Sequence, residues 1–329
     1  MVQWWFVLEQ LYSGKAKDVI ILDDEKVKIV FRNSISAFDG VKIDELKGKG
    51  EANCKISRIL FEVLHHYGVE THYLKQESSN ELICKKVEII PVESVCRNIT
   101  AGSFCRRYGV EKGISFKKPI VELFFKNDEL HDPLVTEEVA IRLGWINEKE
   151  KIIIKAVTLA VNYILRELFK KIGLTLVDFK LEFGRTTDGK LILADEISAD
   201  TMRLWEMSSG EIKDKDRYRK DLGNVVDHYN DIALRLEQIK ELPKIELKTK
   251  VRVTIDLKES VLDPAGDITI RSLLRLGYKL VSKVNIGKSV VISFTSAPGS
   301  KLWDVTETIS NEILANPLIE TYSIDFSFE

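Results

Sequence analysis

No apolar run in these 329 residues approaches 18 in length, so no segment reads as a membrane-spanning helix. The opening MVQWWFVLEQL lacks a basic stretch and a small-residue cleavage site, and reads as a first strand and not as a secretory signal. Cysteine is scarce: Cys54, Cys84, Cys96 and Cys105 form no C-x-x-C and no metal-ligand spacing, which fits reduced thiols in the cytoplasm. Histidine does not supply a zinc site either, because His65 and His66 are adjacent on a predicted helix and face different ways. An excess of one charge is also missing. Lys and Arg number 49 against 51 Asp and Glu, balanced in both halves, so there is no nucleic-acid footprint. Only four glutamines beside so many charges point toward a heat-stable protein. At 44% hydrophobic and 30% charged, the composition is that of a soluble globular protein, and the length suits two unequal domains.

The chemistry that is present concentrates between Asp178 and Trp205. Val177, Phe179, Leu181 and Phe183 alternate with Asp178, Lys180 and Glu182, the period of a strand with one charged face. Residues 191–194 make a second strand, and Asp188-Gly189 predicts a two-residue hairpin turn between them. That turn sets Thr187 opposite Lys190 and Glu182 opposite Asp195. Carboxylates about 5 Å apart across a ladder repel by about 3 kcal/mol at an effective dielectric of about 20. A divalent cation turns such a pair into a ligand set, and Mg²⁺ is commonly held by carboxylates, waters and phosphates together. Lys180 lies on the same face, placed for a phosphate or a substrate carboxylate. The structural alternative is a solvated hairpin with its charges outward.

Upstream, residues 4–11, 17–23 and 26–31 read as three antiparallel strands. Their first connection carries Gly14, Lys15 and Lys17, whose backbone N–H groups and ammonium heads suit phosphates; a surface turn with solvated lysines is the alternative. Ser36 to Gly40 reads as a loop bearing Asp39, and residues 50–67 as a helix with Ile56, Leu60 and Leu64 on one stripe. Strands over 70–75, 82–85 and 87–91 lead to a short turn from Arg97 to Ser103, where an arginine, hydroxyls and Gly102 suit an anion pocket; a charged loop is the alternative. A strand over 121–125 precedes a polar loop through Lys126, Asn127, Asp128, His131 and Asp132. A helix over 148–171 ends at Gly173. Residues 201–215 read as a loop in which Arg203 is a second anion ligand, and residues 224–240 as a helix.

Pro243 and the charged residues after it mark a boundary, giving domains over 1–242 and 250–329 with a linker over 243–249. The second domain reads as strand 251–257, helix 268–276, strands 280–286 and 289–295, helix 302–314 and strand 319–326. This βαββαβ order suits a small ferredoxin-like sandwich.

With these blocks placed, the first domain resembles the phosphoribosylaminoimidazole-succinocarboxamide synthase (SAICAR synthetase) family. The matching residues are Gly14-Lys15-Ala16-Lys17, Ser36 to Gly40, Pro91-Val92-Glu93 with Arg97-Asn98 and Ala101-Gly102-Ser103, Lys126-Asn127-Asp128 with His131-Asp132-Pro133, Asp178 to Gly184, and Ala194 to Ser198 through Arg203-Leu204-Trp205. Ser13 stands where the family commonly has Glu, and Ala199 where it has Pro. The second domain resembles PurS, the small subunit of formylglycinamidine ribonucleotide (FGAM) synthetase, through Leu257-Lys258, Asp263-Pro264, Gly266, Gly277-Tyr278, Gly287-Lys288 and Asn316-Pro317. Together they imply an α+β chain: a two-part ATP-binding fold followed by a ferredoxin-like domain.

The resemblance implies a ligase that forms SAICAR from ATP, the carboxyaminoimidazole nucleotide CAIR and L-aspartate. Gly14, Lys15 and Lys17 would cover the ATP phosphates, Glu182 and Asp195 would hold Mg²⁺, and Lys180 would neutralise charge between nucleotide and acceptor. Arg97, Ser103 and Arg203 would hold the CAIR 5′-phosphate, with Asp178, Asp200, Asp39 and Asp132 as further substrate contacts. It also implies a homo-oligomer, with the large and glutaminase subunits of FGAM synthetase as partners. The competing readings are a kinase-like phosphotransferase, an amino-acid-sensing C-terminal module, and a fusion that has lost catalysis.

Overall fold

A computed structural model describes residues 10–14, 16–37 and 41–328. Lys15, Asp39 and the expected strand up to residue 9 lie outside the described residues. The chain divides into two compact units, residues 1–245 and 246–329.

In chain order the first unit runs β1 (Gln10–Ser13), β2 (Lys17–Ile21), β3 (Lys26–Phe31), β4 (Ser34–Ala37), β5 (Lys42–Glu45), α1 (Lys49–His66), β6 (Tyr73–Ser78), β7 (Glu81–Lys85) and β8 (Glu88–Ile99). It continues with α2 (Gly102–Tyr108), β9 (Ser115–Phe125), β10 (Leu134–Val135), α3 (Glu137–Arg142), α4 (Glu148–Lys171), β11 (Leu174–Arg185), β12 (Leu191–Ala194), β13 (Met202–Glu206), α5 (Asp216–Arg219) and α6 (Val225–Glu237). A smaller sheet has the order β1-β2-β3-β7-β6, and α1 packs on it and on α6. A larger sheet has the order β10-β9-β8-β11-β12, with β13 also paired to β11.

The helix α4 starts where the sequence allows it to. Asn147 accepts the Glu150 N–H and Glu150 accepts the Asn147 N–H, each at 2.9 Å, which satisfies two donors that the first turn leaves orphaned. Its Thr158 and Asn162, one turn apart, meet Ser94 at 2.9 Å and Asn98 at 2.7 Å on β8. One face of the large sheet is therefore committed to α4. Strand alternation turns Glu93, Val95 and Arg97 to the other.

Three expectations are corrected here. Arg97 lies within the long strand β8 and not in a turn. Residues 202–206, expected as loop, form β13: Met202 and Leu204 are buried while Arg203 and Trp205 alternate to the other face, a period too short to stand out between polar flanks. The hairpin between β11 and β12 is one residue longer than a two-residue turn. Thr186 C=O accepts the Gly189 N–H and Thr186 N–H donates to Lys190 C=O, both at 2.9 Å, with Gly189 at φ +77°. The ladder slides by one residue in consequence, and Glu182 faces Ala194 instead of Asp195.

The second unit comprises β14 (Thr249–Leu257), α7 (Pro264–Arg275), β15 (Lys288–Phe294), α8 (Ser300–Ile309) and β16 (Glu320–Phe328). Its sheet order is β15-β14-β16, antiparallel throughout. Val251, Val253, Ile255, Ile324 and Phe326 make the buried face, where the Trp303 ring of α8 meets Phe326 at 5.5 Å between centroids. The strand expected over 280–286 does not form: Leu280 is fully exposed, and the Ile286 N–H donates to Asp263 at 2.8 Å in place of a ladder partner.

Asp263 also caps α7 by accepting the Gly266 N–H at 2.8 Å, so one carboxylate fixes both the helix start and the following segment. Asp263→Ala should destabilise the second unit, since both N–H groups lose their acceptor. Amide hydrogen exchange of the full chain would show faster exchange confined to residues 264–287, and unchanged protection there would remove this role.

Candidate active site

Residues paired across neighbouring strands share a face of the sheet. Glu182 pairs with Glu93, Lys180 with Val95, and Asp178 with Arg97 on one side and Arg203 on the other. Val95 in turn pairs with Glu122 of β9. The charged residues of four strands thus collect on the face away from α4. Asp178 and Glu182 are each 3% exposed, so the reading of a solvated hairpin fails.

Glu93 and Glu182 are like charges across a ladder, a destabilising pair by itself. Lys180 resolves it, donating to Glu93 at 2.6 Å and to Glu182 Oε1 at 3.0 Å, and Lys126 at the end of β9 donates to Glu182 Oε2. Burial pushes the Glu93 carboxyl up; Lys180 pulls it back, but Glu182 adds to the rise. Burial alone would lower the Lys180 pKa, yet Glu182, Glu93 and Asp195 hold it well above the ordinary lysine value.

Asp195 reaches this cluster by a route other than the ladder. β12 and β13 occupy successive stretches of one edge of β11, and residues 195–201 cross between them, where Thr201 C=O accepts the Lys180 N–H at 2.8 Å. Asp195 begins the crossing at φ +65°, a left-handed conformation that Asp tolerates. His72 Nε2–H holds its carbonyl at 2.8 Å, and Lys17 of β2 donates to its carboxylate and, at 3.3 Å, to Glu196. Burial would raise the Asp195 carboxyl, but Lys17, Lys126 and Lys180 together hold it well below the usual range. Glu182 and Asp195 therefore answer to the same lysines. Lys17 is itself fixed by its turn: Gly14 N–H donates to Lys17 C=O at 2.9 Å, and Arg32 donates to Gly14 C=O at 3.1 Å and to Ser13 Oγ at 3.0 Å.

Two rungs along β11 is a second charged centre. Asp178 accepts from Arg97 at 3.0 Å and from Arg203 at 2.8 Å and 3.1 Å. Arg97 also reaches Glu122 and, at 3.5 Å, Ser103 Oγ, while Arg203 Nε donates to Asp216 at 3.0 Å. Gly102 sits at φ +56°, and a Cβ there would fall 2.4 Å from Arg203 Nη2, so any other residue would be strained and would push the guanidinium from its place. Arg97, Ser103 and Arg203 are thus brought together, with Asp178 as their holder.

The other candidates differ in place. Asp132 follows Lys126 in the loop after β9 and accepts the Asn127 N–H at 2.9 Å; His131 and Asp132, at φ +59° and +46°, are consecutive left-handed residues, a strain found at functional sites. Asp200 is buried against α1 and α6, taking Lys49 at 2.5 Å, Tyr229 at 2.8 Å and Asn53 at 2.9 Å. Burial opposes its ionisation, but Lys49 and Lys215 bring its carboxyl down to about 2. Glu93, Glu122, Lys126, Arg32, Lys49 and Asp216 were missed as site residues. For Glu93 a signal existed, since Glu93, Val95 and Arg97 alternate along one strand.

Among the described residues, no three His, Cys, Asp or Glu side chains converge as a metal ligand set. Glu182 and Asp195 offer hard carboxylate oxygens only, a partial set of the kind Mg²⁺ completes with phosphates and water. Among the described residues, too, no helix is long and apolar enough to cross a membrane, and the four cysteines are free.

Burial drives the His72 imidazole down from 6.5 to about 4, against the pull of Asp195. Its folded pKa is below its unfolded one, so the unfolded chain binds the extra proton. The stability it confers is complete above pH 6.5 and is lost as pH falls toward 4. The melting temperature should fall over that window, and His72→Gln, which keeps an N–H donor, should flatten the fall; an unchanged slope would remove His72 as its source.

The family model for SAICAR synthetase matches residues 10–236, and that for PurS, phosphoribosylformylglycinamidine (FGAM) synthase, matches residues 250–327. The phosphoribosylaminoimidazole-succinocarboxamide synthase of Methanocaldococcus jannaschii is 49% identical over 228 residues, 69% of this chain and 94% of its own length. The Hahella chejuensis synthase is 47% identical over 230 residues, 70% and 97% of the two chains. The crystal structure of the Ehrlichia chaffeensis synthase aligns with a TM-score of 0.68 at 42% identity, over 71% of this chain and 100% of that one. A SAICAR synthetase (Type-2) in complex with ADP aligns equally well, with a TM-score of 0.68 at 42% identity over 72% and 100% of the two chains. With two thirds of its length so matched, this chain belongs to the SAICAR synthetase family and carries a PurS-like module behind the enzyme.

Proposed function

We propose that the chain forms SAICAR from CAIR, L-aspartate and ATP, releasing ADP and phosphate. The observation that carries this reading is the pairing, on one sheet face, of a lysine–carboxylate cluster around Glu182 with a two-arginine anion site around Asp178. Four residues along a strand span about 13 Å. That separation suits a nucleotide whose 5′-phosphate is anchored at one end while its carboxylate meets a phosphoryl donor at the other.

A carboxylate is a poor acyl donor. Phosphorylation gives it a leaving group that the aspartate amine can displace, so the protein's task is positioning and charge neutralisation. Gly14 and Lys17, with Lys15, would cover the ATP phosphates; the ADP complex of a 42% identical relative supports ATP use. Glu182 and Asp195 would hold Mg²⁺, which would neutralise charge on the transferring phosphoryl group. Lys180, between Glu93 and Glu182, would meet the negative charge that builds between donor and acceptor. Arg97, Ser103 and Arg203 would clamp the CAIR phosphate, with Asp178 holding both guanidinium groups in register. Asp132, Asp200 and Asp39 remain proposed substrate contacts, Asp200 acting through the Lys49 and Tyr229 network that fixes it.

The PurS-like unit would dock the large and glutaminase subunits of an FGAM synthetase, within a homo-oligomer in the cytoplasm. Leu262, Ile268, Leu276, Tyr278 and Leu280 of that unit are exposed apolar residues, which supports a docking role.

ADP release should require both CAIR and L-aspartate, and Glu182→Gln should lower it by at least about a hundredfold with the melting curve retained. Near-normal turnover in that variant would remove Glu182 from the reaction, and release without aspartate would favour a phosphotransferase. Pull-down of the FGAM synthetase subunits should succeed with the full chain and fail with a chain ending at residue 245; equal recovery would count against the docking role.

A further inference from the structure

The lysines of the cluster sit on lone pairs that the proposed reaction needs for a cation. Lys126 takes Glu182 Oε2, Lys180 takes Glu182 Oε1 at 3.0 Å, and Lys17 takes Asp195 Oδ1. Both oxygens of Glu182 are thereby engaged by ammonium groups. An ammonium and a divalent cation cannot share one lone-pair direction at bonding distance, because they repel each other as well as compete. Glu93, Glu182, Asp195 and Glu196 face Lys17, Lys126 and Lys180, so three ammonium groups offset all but one of four carboxylate charges.

The three lysines are not equally free to leave. Lys180 is tied to Glu93 as well as Glu182 and stands within β11. Lys126 follows the last residue of β9, its side chain 39% exposed, and among the described residues Glu182 is the carboxylate it pairs with. Lys17 begins β2, next to the Gly14 turn. Burial would lower the Lys126 pKa, but Glu182 and Asp195 together raise it, so this one ammonium answers to both proposed ligands.

We propose that Lys126 and Lys17 are place-holders for the cation: they hold Glu182 and Asp195 by ion pairs and close those oxygens to free divalent cations until nucleotide arrives. The inference rests on the reading of Glu182 and Asp195 as cation ligands. Metal and nucleotide then bind with positive coupling, since phosphate oxygens supply the anionic partners that displaced ammonium groups require.

Mn²⁺ is a direct probe, its free concentration read by electron paramagnetic resonance in solutions of the full-length chain. Wild type should bind Mn²⁺ weakly without nucleotide and more tightly with ADP. Lys126→Met and Lys17→Met keep the apolar stem and remove the charge, and each should raise Mn²⁺ affinity without nucleotide by about tenfold or more. A merely structural role would lower that affinity or leave it alone, and either result in Lys126→Met overturns the proposal. Lys126 is the more exposed position, so its variant carries the test should Lys17→Met fail to fold. Glu182→Gln separates the two levels of the argument. Mn²⁺ binding with ADP that survives Glu182→Gln removes the ligand assignment itself, whereas Glu182-dependent binding with no gain in the lysine variants removes the place-holder role alone.

Discussion

A carboxylate taken out of water stays ionised only if cations or N–H donors meet it. The strand β11 takes two out of water on the same face, Asp178 and Glu182, and the rest of the first unit is arranged around that demand. Asp178 is met from both flanking strands, by Arg97 of β8 and Arg203 of β13. Glu182 is met by Lys180 on its own strand and by Lys126 from the end of β9. The face toward α4 carries apolar side chains and the neutral hydrogen bonds of Ser94 and Asn98, with one ion pair at its end, where Arg185 donates to Glu150 at 2.6 Å.

The parts legible in the sequence were those with a strong local period or a local cap. The helix over 148–171 was placed to the residue, because its apolar stripe is long and Gly173 marks its end. The hairpin strands were found as well, but their register was not. Asp188-Gly189 is compatible with a two-residue turn and with a three-residue loop, and the choice of the longer one was made by the backbone bonds between Thr186 and Lys190, which no composition displays. The partners of Glu182 were hidden for a different reason. Lys126 and Glu93 are 56 and 89 residues away in sequence, and only the strand order β9-β8-β11 brings them alongside. Asp200 carried no sign of its burial, since Lys49, Asn53 and Tyr229 arrive from two helices far along the chain.

The two units meet burial differently. In the first, charge is internal and organised. In the second, the sheet has three strands where four were expected, and residues 280–286 lie against the start of α7, with Asp263 taking the Ile286 N–H. An alternating run of valine, leucine and isoleucine is enough to suggest a strand, but a strand also needs an edge to pair with, and that is a property of the whole sheet.

The rung through Arg97, Asp178 and Arg203 has a consequence for how such a chain can change over time. Loss of Asp178 would leave two buried guanidinium groups at close quarters, and loss of either arginine would leave the carboxylate short of a partner that Gly102 was kept small to admit. Single steps away from this arrangement lead through an uncompensated charge, so drift at any one position is opposed by the others. A lineage in which the rung has broken up should therefore have stopped using the anion site it supports.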